Sequence, residues 1–276
     1  MKKTFLAAIL FAALLVLSFG LTSIAYSVAE TSFFSIYEGI ASFAFWISIV
    51  GFVFLFPLRY VLALFANYIK SLRGVLIFAS YATVHLFLYG LILEGIIAYS
   101  FKIPSVINQA TISVTSIPLY PVTLTSILTG FGFNPSIDIF IPPVYVLALS
   151  FYIISLSFII AVLVLTNIMK VVEIGKSCGR AFRSRSLILL PMLGVVGGAA
   201  CCISLPVLIT LAAPTTAILS GSPIVFYAAY FLFPIATAIG LKYNMDSTQR
   251  IATRISKILP PKVLQEEEKK EPPVVG

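Results

Sequence analysis

The sequence predicts an all-α integral membrane protein, a bundle of six transmembrane helices with both termini in the cytoplasm. Three observations predict it. The chain of 276 residues is 60% hydrophobic and 10% charged, whereas a soluble domain carries about 25% charged residues. Its apolar residues come in long blocks rather than at period 2 or 3.6, the pattern of segments that meet lipid all round. Its basic residues lie almost entirely on one side of those blocks.

Crossing a bilayer takes roughly 20 apolar residues at 1.5 Å each. Six blocks qualify: 4–26, 39–57, 75–99, 143–169, 187–213 and 223–241. They form one membrane domain, 1–242, followed by a tail, 243–276. The first block follows Met-Lys-Lys and ends near Ser23–Ala29, as a signal peptide would. Its apolar part exceeds the usual 7–15 residues of such a segment, which favours an uncleaved first helix.

The net charge of +8 is strongly polarised. Lys2 and Lys3 precede the first block. Arg59, Lys70 and Arg73 separate the second from the third, and Lys170, Lys176, Arg180, Arg183 and Arg185 surround the fourth connection. Seven more follow the sixth block, from Lys242 to Lys270, so the alternate connections hold Lys102 alone. Cytoplasmic loops are the ones enriched in Lys and Arg. Both termini are therefore expected inside, in the cell membrane, with loops 27–38, 100–142 and 214–222 outside. The surplus positive charge suits anionic headgroups, at about 1 kcal/mol per residue near the surface. The expected partner is lipid, with other membrane subunits as a further candidate, and not nucleic acid.

The connections carry some structure of their own. Between the second and third spans, Leu62, Leu64, Phe65 and Ile69 interleave with Arg59, Asn67 and Lys70. That reads as an interfacial helix or an extension of span two beyond Pro57. In the outer loop 100–142, Thr111–Thr115 alternates like a strand, and Leu119 to Leu128 is apolar enough to dip among the helices. In the tail, Ile251, Ile255, Ile258 and Leu259 share a helical face. Asp246 or Ser247 is a candidate cap and Pro260-Pro261 a stop. The run from Gln265 to Pro273 is too polar to pack.

Chemistry-bearing residues are few. Span five reads Gly197-Gly198-Ala199-Ala200-Cys201-Cys202-Ile203-Ser204-Leu205-Pro206. Pro206 has no N–H to bond the carbonyl of Cys202 four residues earlier. That leaves a backbone oxygen beside two thiols and the Ser204 hydroxyl. Thiolates select soft ions such as Cu(I) and Hg(II), and interrupted helices are a known way to build midplane sites. The competing reading is packing: Gly194, Gly198, Cys202 and Pro206 recur every fourth residue, a stripe of small residues suited to close helix contact. Span three holds His85 and Glu94, and ionisable residues within a membrane are functional candidates. Nine residues put them roughly 900° apart, on opposite faces. His85 has Tyr81 and Tyr89 on its own face, and a neutral imidazole bonded to a tyrosine is the bland alternative.

The stretch 197–211 resembles the first helix of the mercuric-ion transport protein MerT and related small heavy-metal transporters. The resemblance implies that Cys201 and Cys202 accept a soft metal ion within the membrane. It implies Cys178 as the relay on the cytoplasmic side. That family has two residues between the cysteine pair and proline, where this chain has three, and its inner relay is a pair rather than one cysteine. The sequence carries no phosphate-binding glycine loop, zinc-protease helix, nucleophile elbow or paired catalytic carboxylates, so the chain is not read as an enzyme. Two classes are left: a transport-related protein, with soft-metal handling as the sharpest version, and a non-catalytic subunit or anchor of a membrane complex.

Overall fold

The computed structural model describes residues 2–88, 107–142, 145–177 and 223–258, with isolated positions 95 and 99. The described chain is mostly helical. In order come α1 (Lys2–Ser27), α2 (Phe33–Leu55), α3 (Arg59–Tyr68) and α4 (Leu72–Thr83), which widens into a π turn at Val84–Leu88. Then follow β1 (Thr111–Thr115), α5 (Leu124–Phe133), β2 (Ser136–Ile141), β3 (Tyr145–Ser150), α6 (Phe151–Ser177) and α7 (Pro223–Ile258).

Among the described residues, α1, α2 and α6 are long and apolar enough to cross a bilayer, with qualifying stretches of 24, 23 and 23 residues. At 1.5 Å per residue each spans about 35 Å, slightly more than a hydrocarbon core. They differ in surroundings. The apolar window of α1 is 6% buried and that of α6 is 72% buried. So α1 lies at the edge and α6 runs through the middle. This corrects the expectation of segments that meet lipid all round: Tyr152, Ile153, Leu156 and the run Ile159–Leu165 are buried against protein.

α1 and α2 pack antiparallel. Phe11 meets Gly51 and Phe52, Phe19 meets Phe45, and Tyr26 meets Phe34. Gly51 lets the Phe11 ring lie on the backbone; a Cβ there would fall 2.4 Å from it.

The second connection is a separate helix, not a continuation of α2. α2 stops at Leu55, just ahead of Pro57, whose missing N–H cannot extend the ladder. α3 then meets α4 at a bend of 116°. Ser71 caps α4, its hydroxyl accepting from Gly74 N at 3.1 Å. The corner is so tight that a Cβ on Gly74 would lie 2.0 Å from the Tyr68 carbonyl oxygen.

The all-α expectation needs correction at 111–150. These residues form an antiparallel sheet in the order β1-β2-β3 with a helix, α5, between the first two strands. β1 falls where the alternation of Thr111–Thr115 put a strand. Ile112 faces Ile139, which faces Leu147, and Val114 faces Ile137, which faces Leu149. β3 occupies residues 145–150, expected to begin the fourth span. Ser150 instead starts the helix, its hydroxyl accepting from Ile153 N at 3.4 Å. We call 107–150 the cap.

α7 runs unbroken from Pro223 to Ile258, through positions 242 and 243. Neither Asp246 nor Ser247 begins a new helix there. Asp246 sits one turn beyond Lys242 and pairs with it at 2.6 Å, a favourable spacing for opposite charges. α7 is fastened to α6 through Asn167, whose Nδ2 donates to Leu241 O at 3.1 Å and whose Oδ1 accepts from Asn244 Nδ2 at 2.9 Å. The expected fifth span, 187–213, and the polar run 265–273 lie outside the described residues.

Candidate functional site: a buried carboxyl beneath the cap

The cap is seated on α2 by a cluster of directed bonds. Asn134, at the C-terminal end of α5, is their hub. Its side chain donates to Ile117 O at 2.7 Å and accepts from Ile117 N at 3.1 Å, in the manner of a strand pair. Its own carbonyl accepts from Ser42 Oγ at 2.5 Å. One turn further along α2, Trp46 Nε1 donates to Phe131 O at 2.6 Å. Those carbonyls are available because they belong to the last turn of α5 and the residue after it, where helices leave oxygens unsatisfied. Pro135 packs 3.5 Å from the Cβ position of Gly39.

This docking encloses Glu38. Phe34, Glu38, Ala41, Ser42, Phe45 and Ser48 are all buried positions of α2, and they line the side facing α1 and α5. The Glu38 side chain is 0% exposed, and neither carboxyl oxygen has a hydrogen-bond partner. Thr22 of α1 is also fully buried with its hydroxyl unpartnered by strict geometry. Gly130 of α5 closes the third side, where a Cβ would stand 3.1 Å from Glu38 Oε1. A Cβ there would make the carboxyl give way by a few tenths of an ångström, so glycine allows the cap helix its close approach. Deeper along α2 lies an aromatic layer. Phe45 stacks on Phe131 at 4.3 Å between centroids, and Phe19 meets both edge-on.

Leaving a polar group buried and unpaired costs about 1–3 kcal/mol, more if it is charged. Nothing in the described fold requires an acid here, and isosteric apolar residues would fill the same space. Ionisable groups held inside spanning helices at such cost are functional candidates. The sequence reading missed Glu38 because it placed span two at 39–57 and left this residue in the outer loop. The available signal was the helical spacing of Glu38, Ser42 and Ser48 with Ala41 and Phe45, which marks a small, polar, inward face.

Of the residues singled out from sequence, the structure describes His85. It is fully buried in the π turn of α4. Tyr81, one turn below, stacks on it with centroids 5.5 Å apart, and its Oη lies 3.5 Å from Nδ1. The same turn presents the Phe87 carbonyl to the Tyr145 hydroxyl of β3 at 3.2 Å. π turns interrupt helices and frequently occur at functional sites. Glu94, Cys178, Cys201, Cys202, Ser204 and Pro206 lie outside the described residues. Among the described residues no three His, Cys, Asp or Glu side chains gather as a metal site would require.

No protein-family model matches the chain, and neither a curated protein nor a solved structure is significantly similar to it.

Proposed function

We propose that this chain is a six-span membrane protein of the transport class. Its termini are cytoplasmic, its cap lies outside, and Glu38 is the charge-bearing group of its translocation path. The observation that supports this reading is the enclosed, unpaired Glu38 carboxyl between two candidate spans and the cap, with an aromatic layer just deeper in the bundle. A polar point next to an apolar barrier is how a membrane protein accepts a solute from one face without leaking it to the other. The basic connections support the orientation. In its sharpest form the cargo is Cu(I) or Hg(II), taken by Cys201 and Cys202 and passed to Cys178, a form that rests on the sequence of span five alone.

The full chain in proteoliposomes, with Hg(II) or Cu(I) outside and a chelating dye inside, tests this. Uptake is expected, lost in Cys201→Ser and Cys202→Ser and slowed in Glu38→Gln. Uptake and binding indifferent to the cysteine changes remove the metal form. Uptake indifferent to Glu38→Gln removes Glu38 from the path.

One observation favours the second reading, a subunit of a larger membrane complex. β1 is the outer strand of its sheet, and Ile112 and Val114 on it are 73% and 66% exposed. An exposed apolar edge strand is a template for pairing with another chain. Copurification of a stoichiometric second chain, lost on Val114→Lys, is the outcome this reading predicts.

A further inference from the structure

We propose that Glu38 is an exchangeable proton site: a carboxylic acid that is neutral when the cap is seated. This rests on Glu38 being the charge-bearing group assigned above and names what it carries. Both carboxyl oxygens and the Thr22 hydroxyl are buried and lack hydrogen-bond partners. An ionised carboxylate buried without a donor is far costlier than a neutral acid, so a proton is what lets the carboxyl stay there.

The surroundings leave the proton as the fitting occupant. A fixed cation would have to come from a basic side chain, and none faces the site among the described residues. α5 contributes no ionisable residue. α1 contributes Tyr26, whose hydroxyl accepts from Leu119 N at 3.2 Å; the Tyr120 ring of the cap meets that ring edge-on. The charged pair of α6, Lys170 and Glu173, lies near the end of that helix away from Phe43 and Trp46, where its first turn touches α2. Calcium takes six to eight oxygens and magnesium an octahedral six. The side-chain oxygens here are two from Glu38 and one from Thr22, because Ser42 directs its hydroxyl at Asn134. Gly130 packs against Oε1 closely enough to exclude a hydrated ion from that side.

The test uses an apolar carbodiimide on the full chain in lipid nanodiscs. The reagent takes the proton of a neutral carboxylic acid on one nitrogen while the carboxyl oxygen bonds to its central carbon, and the adduct rearranges to a stable acylurea with nothing lost. Peptide mass spectrometry should find the adduct at Glu38 and not at the exposed Glu30. Yield should fall about tenfold per pH unit once Glu38 titrates, and Glu38→Gln should abolish it. The wild-type map stays readable even where that variant fails to fold. Three results overturn the proposal: no adduct at Glu38 in mildly acidic buffer, a yield that does not change with pH, or protection by sodium at constant pH and ionic strength. The readout is independent of flux. An adduct without transport retires the transport reading and keeps the proton site, and transport without an adduct does the reverse.

Discussion

Removing the Asn167 side chain should loosen the last helix from the bundle by a predictable amount. Asn167 is 2% exposed and makes three hydrogen bonds. One, from Nδ2 to Leu163 O at 2.7 Å, stays within α6. The other two cross to α7, at Leu241 O and Asn244 Nδ2. Interhelical hydrogen bonds in membranes average about 0.6 kcal/mol, with a maximum near 1.7 kcal/mol. Asn167→Ala should therefore cost about 1–2 kcal/mol from the two crossing bonds, with a small packing loss added. The Asn167–Asn244 pair alone is best isolated by a double-mutant cycle. Asn167→Ala, Asn244→Ala and the double variant, unfolded in mixed micelles by raising the SDS fraction, should give a coupling of about 0.6 kcal/mol. Additive single effects would refute the bond as an energetic link. A loss above about 4 kcal/mol would mean that Asn167 does something other than fasten two helices.

Three further outcomes follow from the geometry. Ser42→Ala removes the bond to Asn134 O and should cost about 1 kcal/mol. The chain has one tryptophan, and Trp46 bonds the same segment of the cap, so its emission should shift red at lower denaturant in this variant. Gly74→Ala drives a methyl into the Tyr68 carbonyl and should destabilise by at least about 2 kcal/mol, seen as a lowered thermal midpoint; an unchanged midpoint would mean the α3–α4 corner is not built this way. Tyr68→Phe removes the exposed bond to Glu173 Oε2 at 2.9 Å and should cost at most about 1 kcal/mol by the same measurement.

The long helices were legible because length and apolarity are properties of composition. α1, α2 and the body of α6 fall where apolar blocks predict spans. The start of α6 was not legible by that route. Tyr145-Val146-Leu147 is as apolar as the helix that follows, and a buried strand and a buried helix cannot be told apart by hydropathy. Two local cues marked the boundary: Pro142-Pro143 before the strand, and Ser150 with Ile153 three residues on, the spacing of an N-cap. The tail misled for the opposite reason. Asp246 and Ser247 have good capping chemistry, but the preceding helix already satisfies their backbone, so no new start is needed. Asn134 and Gly130 gave no sequence signal at all. Their roles come from docking between segments some ninety residues apart in the chain, and Glu38 becomes conspicuous only once that docking is seen.

The most direct check on the whole reading is which face of the membrane holds the cap. In a chain with Cys178, Cys201 and Cys202 replaced by serine, Thr111→Cys places one thiol on the exposed β1 strand. A maleimide that cannot cross membranes should label it in intact cells, while a tag after Gly276 is reached only once the cells are opened. Labelling of the tag in sealed cells, or of Thr111→Cys only in opened ones, would contradict the orientation on which the function and the path through Glu38 depend.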